Sequence, residues 1–205
     1  MISVNVLAVR YLSSVPETMR KALGTEDACL GLITTDSDDP TYIALDQATK
    51  DAQVSVCNGR SYYAGAGNST TPNAGEVLGI LAGPTPGAVR SGMESALREL
   101  QRVGFEDISG VPCLAHTVSR CGSFLAKEAG VPEGTPLAYL IAPPLESMYA
   151  LDAALKAADV ALCKLYKPPT ETNFGGGLLT GSQSACAAAC NAFRDAVAEI
   201  ARHPK

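Results

Sequence analysis

Apolar and polar positions along this chain change period several times, and each change marks an element. Val4 to Val9 alternates and predicts a strand, and Pro16 to Leu23 predicts a short helix with proline near its first turn. Leu30 to Thr34 is a short apolar run of the kind a buried strand carries, and Asp36 to Pro40 reads as a polar turn. Ile43, Ala44, Ala48 and Ala52 recur at helical spacing, which predicts a helix over Thr41 to Ala52. Val54 to Cys57 is a strand by its β-branched content. A long Gly/Ser/Thr/Asn stretch from Arg60 to Ala74 has no period. Glu76 to Ala82 then predicts a strand, and Pro86 to Val103 a helix. The order returns later: a strand at Leu137 to Ala142, a helix at Leu145 to Ala158, a strand at Val160 to Leu165, a loop from Pro168 to Gly177 and a last helix from Ser184 to Ala201.

The recurrence extends to the residues themselves. Ala-Leu-Asp-x-Ala-x-Lys-x-Ala-x-Val-x-x-Cys runs from Ala44 to Cys57 and again from Ala150 to Cys163. Upstream, Leu32-Ile33 parallels Leu140-Ile141, and Val4 to Leu23 loosely parallels Leu114 to Gly130. A repeat of this length is a duplicated domain, not a solenoid unit. Two similar domains in one chain can mimic a symmetric pair, which points to a pseudosymmetric assembly. We therefore expect two domains, residues 1–105 and 106–205, with the connection falling between residues 103 and 113. Several strands and two main helices in each half predict an α/β (α+β) sandwich, with helices over one face of a mostly antiparallel sheet.

Composition narrows the function classes. A net charge of −5 without a run of Lys or Arg gives a nucleic-acid partner no electrostatic support. No apolar stretch approaches the roughly 20 residues that a membrane span requires. The N-terminus lacks the charged and apolar regions of a signal peptide, so the seven cysteines are expected as reduced thiols, not disulfides.

The candidate chemistry is sparse. Asp36-Ser37-Asp38-Asp39 is the densest charge cluster; it could bind a cation or an ammonium group, or be a solvated turn with one Asp capping the helix. It lacks the glycine and distal glutamate of a calcium loop. Cys186 and Cys190 share a helix face among alanines, where cysteine serves as a small apolar residue. Cys57 and Cys163 hold equivalent positions at strand ends, where packing explains them. His116 and His203 have no suggestive neighbours. Gly65-Ala66-Gly67 and Gly175-Gly176-Gly177 match neither a Rossmann nor a P-loop pattern, so their glycines are expected to provide backbone freedom. Lys50 and Lys156 fall at the same position of the repeat, which favours a shared contact role at equivalent edges. With no nucleophile–base pair, metal triad or cofactor fingerprint, catalytic residues, metal and cofactor are all expected to be none.

Several stretches carry a family resemblance. They are Ser37-Asp38-Asp39 through Thr41-Tyr42 to Asp46-x-Ala48-Thr49-Lys50, then Tyr63-Ala64-Gly65-Ala66, then Gly75-Glu76-Val77-Leu78. They continue with Ala138-Tyr139-Leu140-x-Ala142-Pro143-Pro144-Leu145-Glu146, Pro169 to Phe174, and Leu179-Thr180-Gly181-Ser182-Gln183-Ser184-Ala185-Cys186. Over most of its length the chain resembles the bacterial microcompartment shell proteins with two tandem, circularly permuted BMC domains, of the ethanolamine-utilisation type. The resemblance implies ferredoxin-like sandwiches and a non-enzymatic homotrimer that mimics a hexamer and tiles with other shell proteins in the cytoplasm. It also implies a gated central pore for metabolites or cofactors, lined by loops at about residues 61–74 and 167–180. Within those loops the expected residues are Tyr62, Tyr63, Ala64, Gly65, Ala66, Gly67 and Asn68, and Glu171, Thr172, Asn173, Phe174 and Gly175. Lys50 and Lys156 would lie at edges between trimers. Asp38, Asp39 and Glu76, completed by Phe105 and Thr180, would form an acidic pocket for ethanolamine. The rivals left open are a shell protein of a propanediol or ethanol compartment, a soluble small-molecule-binding regulator of two ferredoxin-like domains, and a cysteine enzyme.

Overall fold

Period-two apolar runs form antiparallel strands, and the period-3.6 segments form helices packed on them. The computed structural model describes residues 1–62, 75–168 and 170–205. Residues 63–74 and Pro169 lie outside the described residues, and with them the expected loop residues Tyr63, Ala64, Gly65, Ala66, Gly67 and Asn68. Two compact units emerge. The N-terminal unit is Ser3–Val103 together with Gly122–Leu125; the C-terminal unit is Met1–Ile2, Gly104–Cys121 and Ala126–Lys205.

In the N-terminal unit, β1 (Val6–Leu12), β2 (Cys29–Thr35), β3 (Ser55–Ser61) and β4 (Val77–Gly83) form a sheet in the order β1-β2-β4-β3. Every neighbouring pair is antiparallel. Helices α2 (Asp38–Asp51) and α3 (Pro86–Glu99) contribute Ala44, Leu45, Ala48, Met93 and Ala96 to a core shared with Ile33 and Leu81 of the sheet. Strand residues at odd spacing from these, Leu30, Ile80 and Ala82, belong to a separate cluster with Val15, as alternation across a pleated sheet requires. Helix α1 (Glu17–Leu23) has no buried residue.

The C-terminal unit repeats this plan with one addition. Its strands are β5 (Glu106–Ile108), β6 (Val111–Val118), β7 (Leu137–Ala142), β8 (Val160–Tyr166) and β9 (Gly175–Gly181), in the order β5-β6-β7-β9-β8. Helix α4 (Ser123–Ala129) begins among residues of the N-terminal unit. Helices α5 (Pro144–Ala157) and α6 (Gln183–Arg202) cover the core. On α6, Cys186, Ala189, Cys190, Phe193, Ala196 and Val197 form one apolar stripe, so the two cysteines serve as core residues. Burial pushes the Cys190 thiol up from its ordinary pKa, which keeps it a thiol.

The α/β expectation holds, and five local expectations are corrected. Asp36 to Pro40 is not a turn throughout, because α2 already starts at Asp38. The first strand runs to Leu12, well past Val9. Helix α3 stops at Glu99, not Val103. The second loop ends sooner than Gly177, because β9 starts at Gly175. Cys57 and Cys163 are not strand ends but mark duplicated bulges, where the register of β3 shifts between Val56 and Asn58 and that of β8 between Leu162 and Lys164.

Candidate functional site

The acidic cluster owes its geometry to the first turn of α2. Ser37 is the N-cap residue with extended backbone, so Asp38 and Asp39 occupy the first helical turn, where the exposed amides favour negative charge. The capping aspartate expected above is therefore replaced by Ser37, which makes no side-chain cap bond. Two threonines hold the turn in place: the Thr41 hydroxyl donates to the Ser37 carbonyl at 2.7 Å and lies 2.7 Å from the Thr35 hydroxyl. Neither aspartate is solvated, each being only 7% exposed.

Three side chains of the cluster form a chain of hydrogen bonds. The Ser61 hydroxyl donates to Asp38 Oδ2 at 2.6 Å, and the Tyr42 hydroxyl stands 3.0 Å from Ser61 Oγ. The Asp39 amide donates to Asp38 Oδ1 at 2.9 Å. Glu76 is fixed by its backbone, whose N–H donates to the Thr35 carbonyl at 2.8 Å and whose carbonyl accepts from Tyr62 N–H at 2.9 Å. Burial, and then the charges of Asp38 and Asp36, raise the Glu76 carboxyl above the usual carboxylate range. Burial also raises Tyr42, with the charges of Asp38 and Asp39 adding to it, so its phenol stays protonated. A carboxyl raised by burial and by neighbouring negative charge belongs to a site that gains when a cation enters.

The first turn of α5 does not repeat this chemistry. Helix α5 starts Pro144-Leu145 where α2 starts Asp38-Asp39, so the duplicate lacks both carboxylates.

The other expected site residues are placed as follows. Phe105 belongs to the C-terminal unit, where it is buried, its ring 5.3 Å from that of Phe174. Thr180 lies in β9 of that unit and donates to the Pro136 carbonyl at 3.0 Å. Tyr62 follows β3, its hydroxyl 3.3 Å from Thr34 Oγ1. In the second loop, Glu171 and Thr172 lie inside a turn closed by Asn173 N–H to the Thr170 carbonyl at 3.1 Å and by the Thr170 hydroxyl to the Phe174 carbonyl at 3.0 Å. Asn173 takes a φ of 61°, a left-handed conformation that asparagine tolerates. Gly175 is the first residue of β9. The repeated lysines differ: Lys156 is 75% exposed and 2.7 Å from Asp152, whereas Lys50 is 25% exposed and 3.5 Å from the buried Asp46. Among the described residues, no group of three His, Cys, Asp or Glu could hold a metal ion, and no helix is long and apolar enough to cross a membrane.

Sequence reasoning missed Ser61 as the partner of Asp38, and it gave Asp46 no role of its own. The Asp46 carboxylate accepts the Gly122 and Leu125 amide protons at 2.7 and 2.8 Å. The repeated Ala-Leu-Asp was the available signal, since it carries Asp46 as plainly as it carries Lys50.

Comparison with known proteins gives a consistent set of relatives. A family model of the BMC domain matches residues 29–110. The bacterial microcompartment shell protein EutL of Clostridium perfringens is 58% identical over 98% of this chain and 95% of that protein. The protein of the same name from Escherichia coli is 50% identical over 98% of this chain and 94% of its own length. The crystal structure of ethanolamine utilization protein EutL from Leptotrichia buccalis matches with a TM-score of 0.95 at 55% identity, covering 99% of this chain and 96% of that one.

Proposed function

The chain belongs to the EutL family of bacterial microcompartment shell proteins, and from that membership we propose that it builds the shell as a non-enzymatic, pseudohexameric homotrimer in ethanolamine utilisation. The single observation that carries the assembly is the repeated plan, β1-β2-β4-β3 in one unit and β6-β7-β9-β8 in the other, each with two helices over its core. Three such chains offer six near-equivalent units, the number that closes a hexagonal tile. The loops at about residues 61–74 and 167–180 line its central pore, and their displacement lets a metabolite or cofactor pass. The two proposed domains, 1–105 and 106–205, are the repeating units of the tile. Lys50 and Lys156 mark edges that meet neighbouring trimers and other shell proteins.

Asp38, Asp39 and Glu76 bind the ammonium group of ethanolamine. The buried carboxylates and the raised Glu76 support this reading, because a charge-assisted bond to a cation offsets their mutual repulsion. Isothermal titration of the full chain with ethanolamine tests it. Glu76→Gln is expected to weaken binding about tenfold or more, since one ionic contact is lost. The same change is expected to raise the thermal midpoint of the free protein at neutral pH, because it removes a carboxylate held above its ordinary pKa. The amine needs the ionised form, so wild-type affinity is expected to be full above the Glu76 pKa. It falls as pH drops through that raised value, sooner than for an ordinary glutamate. Binding that ignores both Glu76→Gln and pH would remove this pocket from the reading.

The edge assignment is tested at Lys156, because Lys50 also serves the buried Asp46. Lys156→Ala is expected to reduce two-dimensional sheets in electron micrographs while sedimentation still reports trimers. Undiminished sheets would refute the edge role of this lysine.

A further inference from the structure

Two hydroxyls between α2 and β3 form a one-way relay. The Ser61 hydroxyl carries a single proton and donates it to Asp38 Oδ2 at 2.6 Å. Its oxygen is then left to accept, and the Tyr42 hydroxyl, 3.0 Å away, is the donor. Burial, and after it the charges of Asp38 and Asp39, raise the Tyr42 phenol and keep that proton in place. The other Asp38 oxygen, Oδ1, takes the Asp39 amide proton at 2.9 Å. A carboxylate turns easily about its last side-chain bond, because that torsion has broad wells. Hydrogen bonds to both oxygens therefore hold Asp38 in one orientation before any ligand arrives.

The duplicated half of the chain shows that this relay is not needed to build the helix–strand frame. Helices α2 and α5 both have 14 residues, which sets Pro144 at the place of Asp38 and Met148 at that of Tyr42. Arg60 pairs with Leu78 and Tyr166 with Gly176, the second residues of β4 and β9. Lys167 therefore stands where Ser61 ends β3. All three members are replaced together, by residues that cannot form the relay. Yet α5 and β8 keep the lengths, the antiparallel pairing and the bulge of α2 and β3. Tyr42 and Ser61 accompany the acidic cluster, not the fold.

We propose that Ser61, backed by Tyr42, is the positioning residue of the amine site: it acts through Asp38, holding that carboxylate ionised and aimed for an ammonium group. The role rests on the pocket proposed above and assigns the two residues that preorganise it. A carboxylate already fixed by its own partners loses less freedom when the cation binds, so more of the interaction appears as affinity. The relay also divides the work among the carboxyls. Asp38 receives donated protons at both oxygens, whereas Glu76 is raised by burial and by the charges of Asp38 and Asp36 and is the member that titrates.

Isothermal titration of the full chain with ethanolamine across a pH series tests this. Ser61→Ala is expected to weaken binding about tenfold, and Ser61→Thr, which restores the hydroxyl on a residue suited to a strand, to return it to within about threefold of wild type. Tyr42→Phe keeps the ring, 6.0 Å from that of Phe124, and removes only the proton. It is expected to cost about threefold, because Ser61 still donates to Asp38 but loses the donor that directs it. The pH profile separates positioning from loosened structure. Without the Ser61 proton, Asp38 competes with Glu76 for a proton from solvent, so binding by Ser61→Ala is expected to fall away at higher pH than in wild type. Loosened structure alone would lower affinity by the same factor at every pH. Ser61→Ala that binds like wild type, or that loses the same factor at every pH, would overturn the positioning role and leave the pocket standing. So would a Ser61→Thr protein that keeps the wild-type circular dichroism yet binds no better than Ser61→Ala. An unchanged affinity in Tyr42→Phe would remove Tyr42 from the relay. A wild-type chain that binds no ethanolamine at any pH would remove the pocket itself.

Discussion

Asp46→Ala is expected to cost about 3–5 kcal/mol of folding stability, and Asp152→Ala less than about 1 kcal/mol, although the two residues share one motif and one helix position. The difference lies in what covers them. The Asp46 side chain is fully buried, takes two amide protons at the start of α4 and faces Lys50 at 3.5 Å. Truncating it strands the Gly122 and Leu125 amides and leaves Lys50, itself largely covered, without this carboxylate. The Asp152 side chain is 62% exposed, and its pair with Lys156 spans one turn of an open helix face. Such pairs gain little, because water screens both charges and the side chains lose freedom. Urea denaturation of the two single variants reads the contrast directly, as a midpoint far below wild type for one and near it for the other. Equal losses would mean that the amide contacts at Gly122 and Leu125 contribute nothing beyond an exposed ion pair.

The same pair shows where sequence reading stops. The repeat announced that residues 44–57 and 150–163 would fold alike, and α2 with β3 and α5 with β8 do so, down to the bulges at Cys57 and Cys163. Local pattern carried that much, because helix and strand periods are properties of neighbours in sequence. It could not carry the burial of Asp46, which depends on backbone amides 76 and 79 positions away. The acidic site divides along the same line. Asp38 and Asp39 were legible as a charge cluster, but Ser61 lies 23 positions from Asp38 and joins it only through the sheet. Reading Asp36 to Pro40 as a turn has a related cause. A helix beginning with carboxylates and proline resembles a loop in composition, although those residues suit a first helical turn.

Gly176→Ala is expected to destabilise the protein by about 3 kcal/mol or more, ahead of either neighbouring glycine. The run Gly175-Gly176-Gly177 looked like a place for backbone freedom, yet it forms the first three residues of β9, paired with β7 and β8. At Gly176 the backbone has a φ of 147°, which side chains rarely tolerate, and an added Cβ would run into the Leu140 carbonyl oxygen. That obstacle is backbone in the adjoining strand, so relief requires β7 and β9 to separate. A Cβ at Gly177 would meet the Lys164 carbonyl oxygen at 2.5 Å without the same φ, so Gly177→Ala costs less. At Gly175 the obstacles are the Ser147 hydroxyl at 2.7 Å and the Pro168 ring at 3.0 Å, side-chain atoms with more room to shift, so Gly175→Ala costs least. Thermal denaturation of the three variants should order them 176, 177, 175, and a near-neutral Gly176→Ala would contradict the close approach of β7 and β9. The ordering bears on function as well as stability. β9 takes over directly from the 170–174 turn, whose Phe174 packs on Phe105, so the glycines that let the strands approach also anchor one end of the second proposed pore loop. The opening proposed for this loop requires a fixed root, and the close approach of β9 to β7 at Gly176 is a tight backbone contact of that kind.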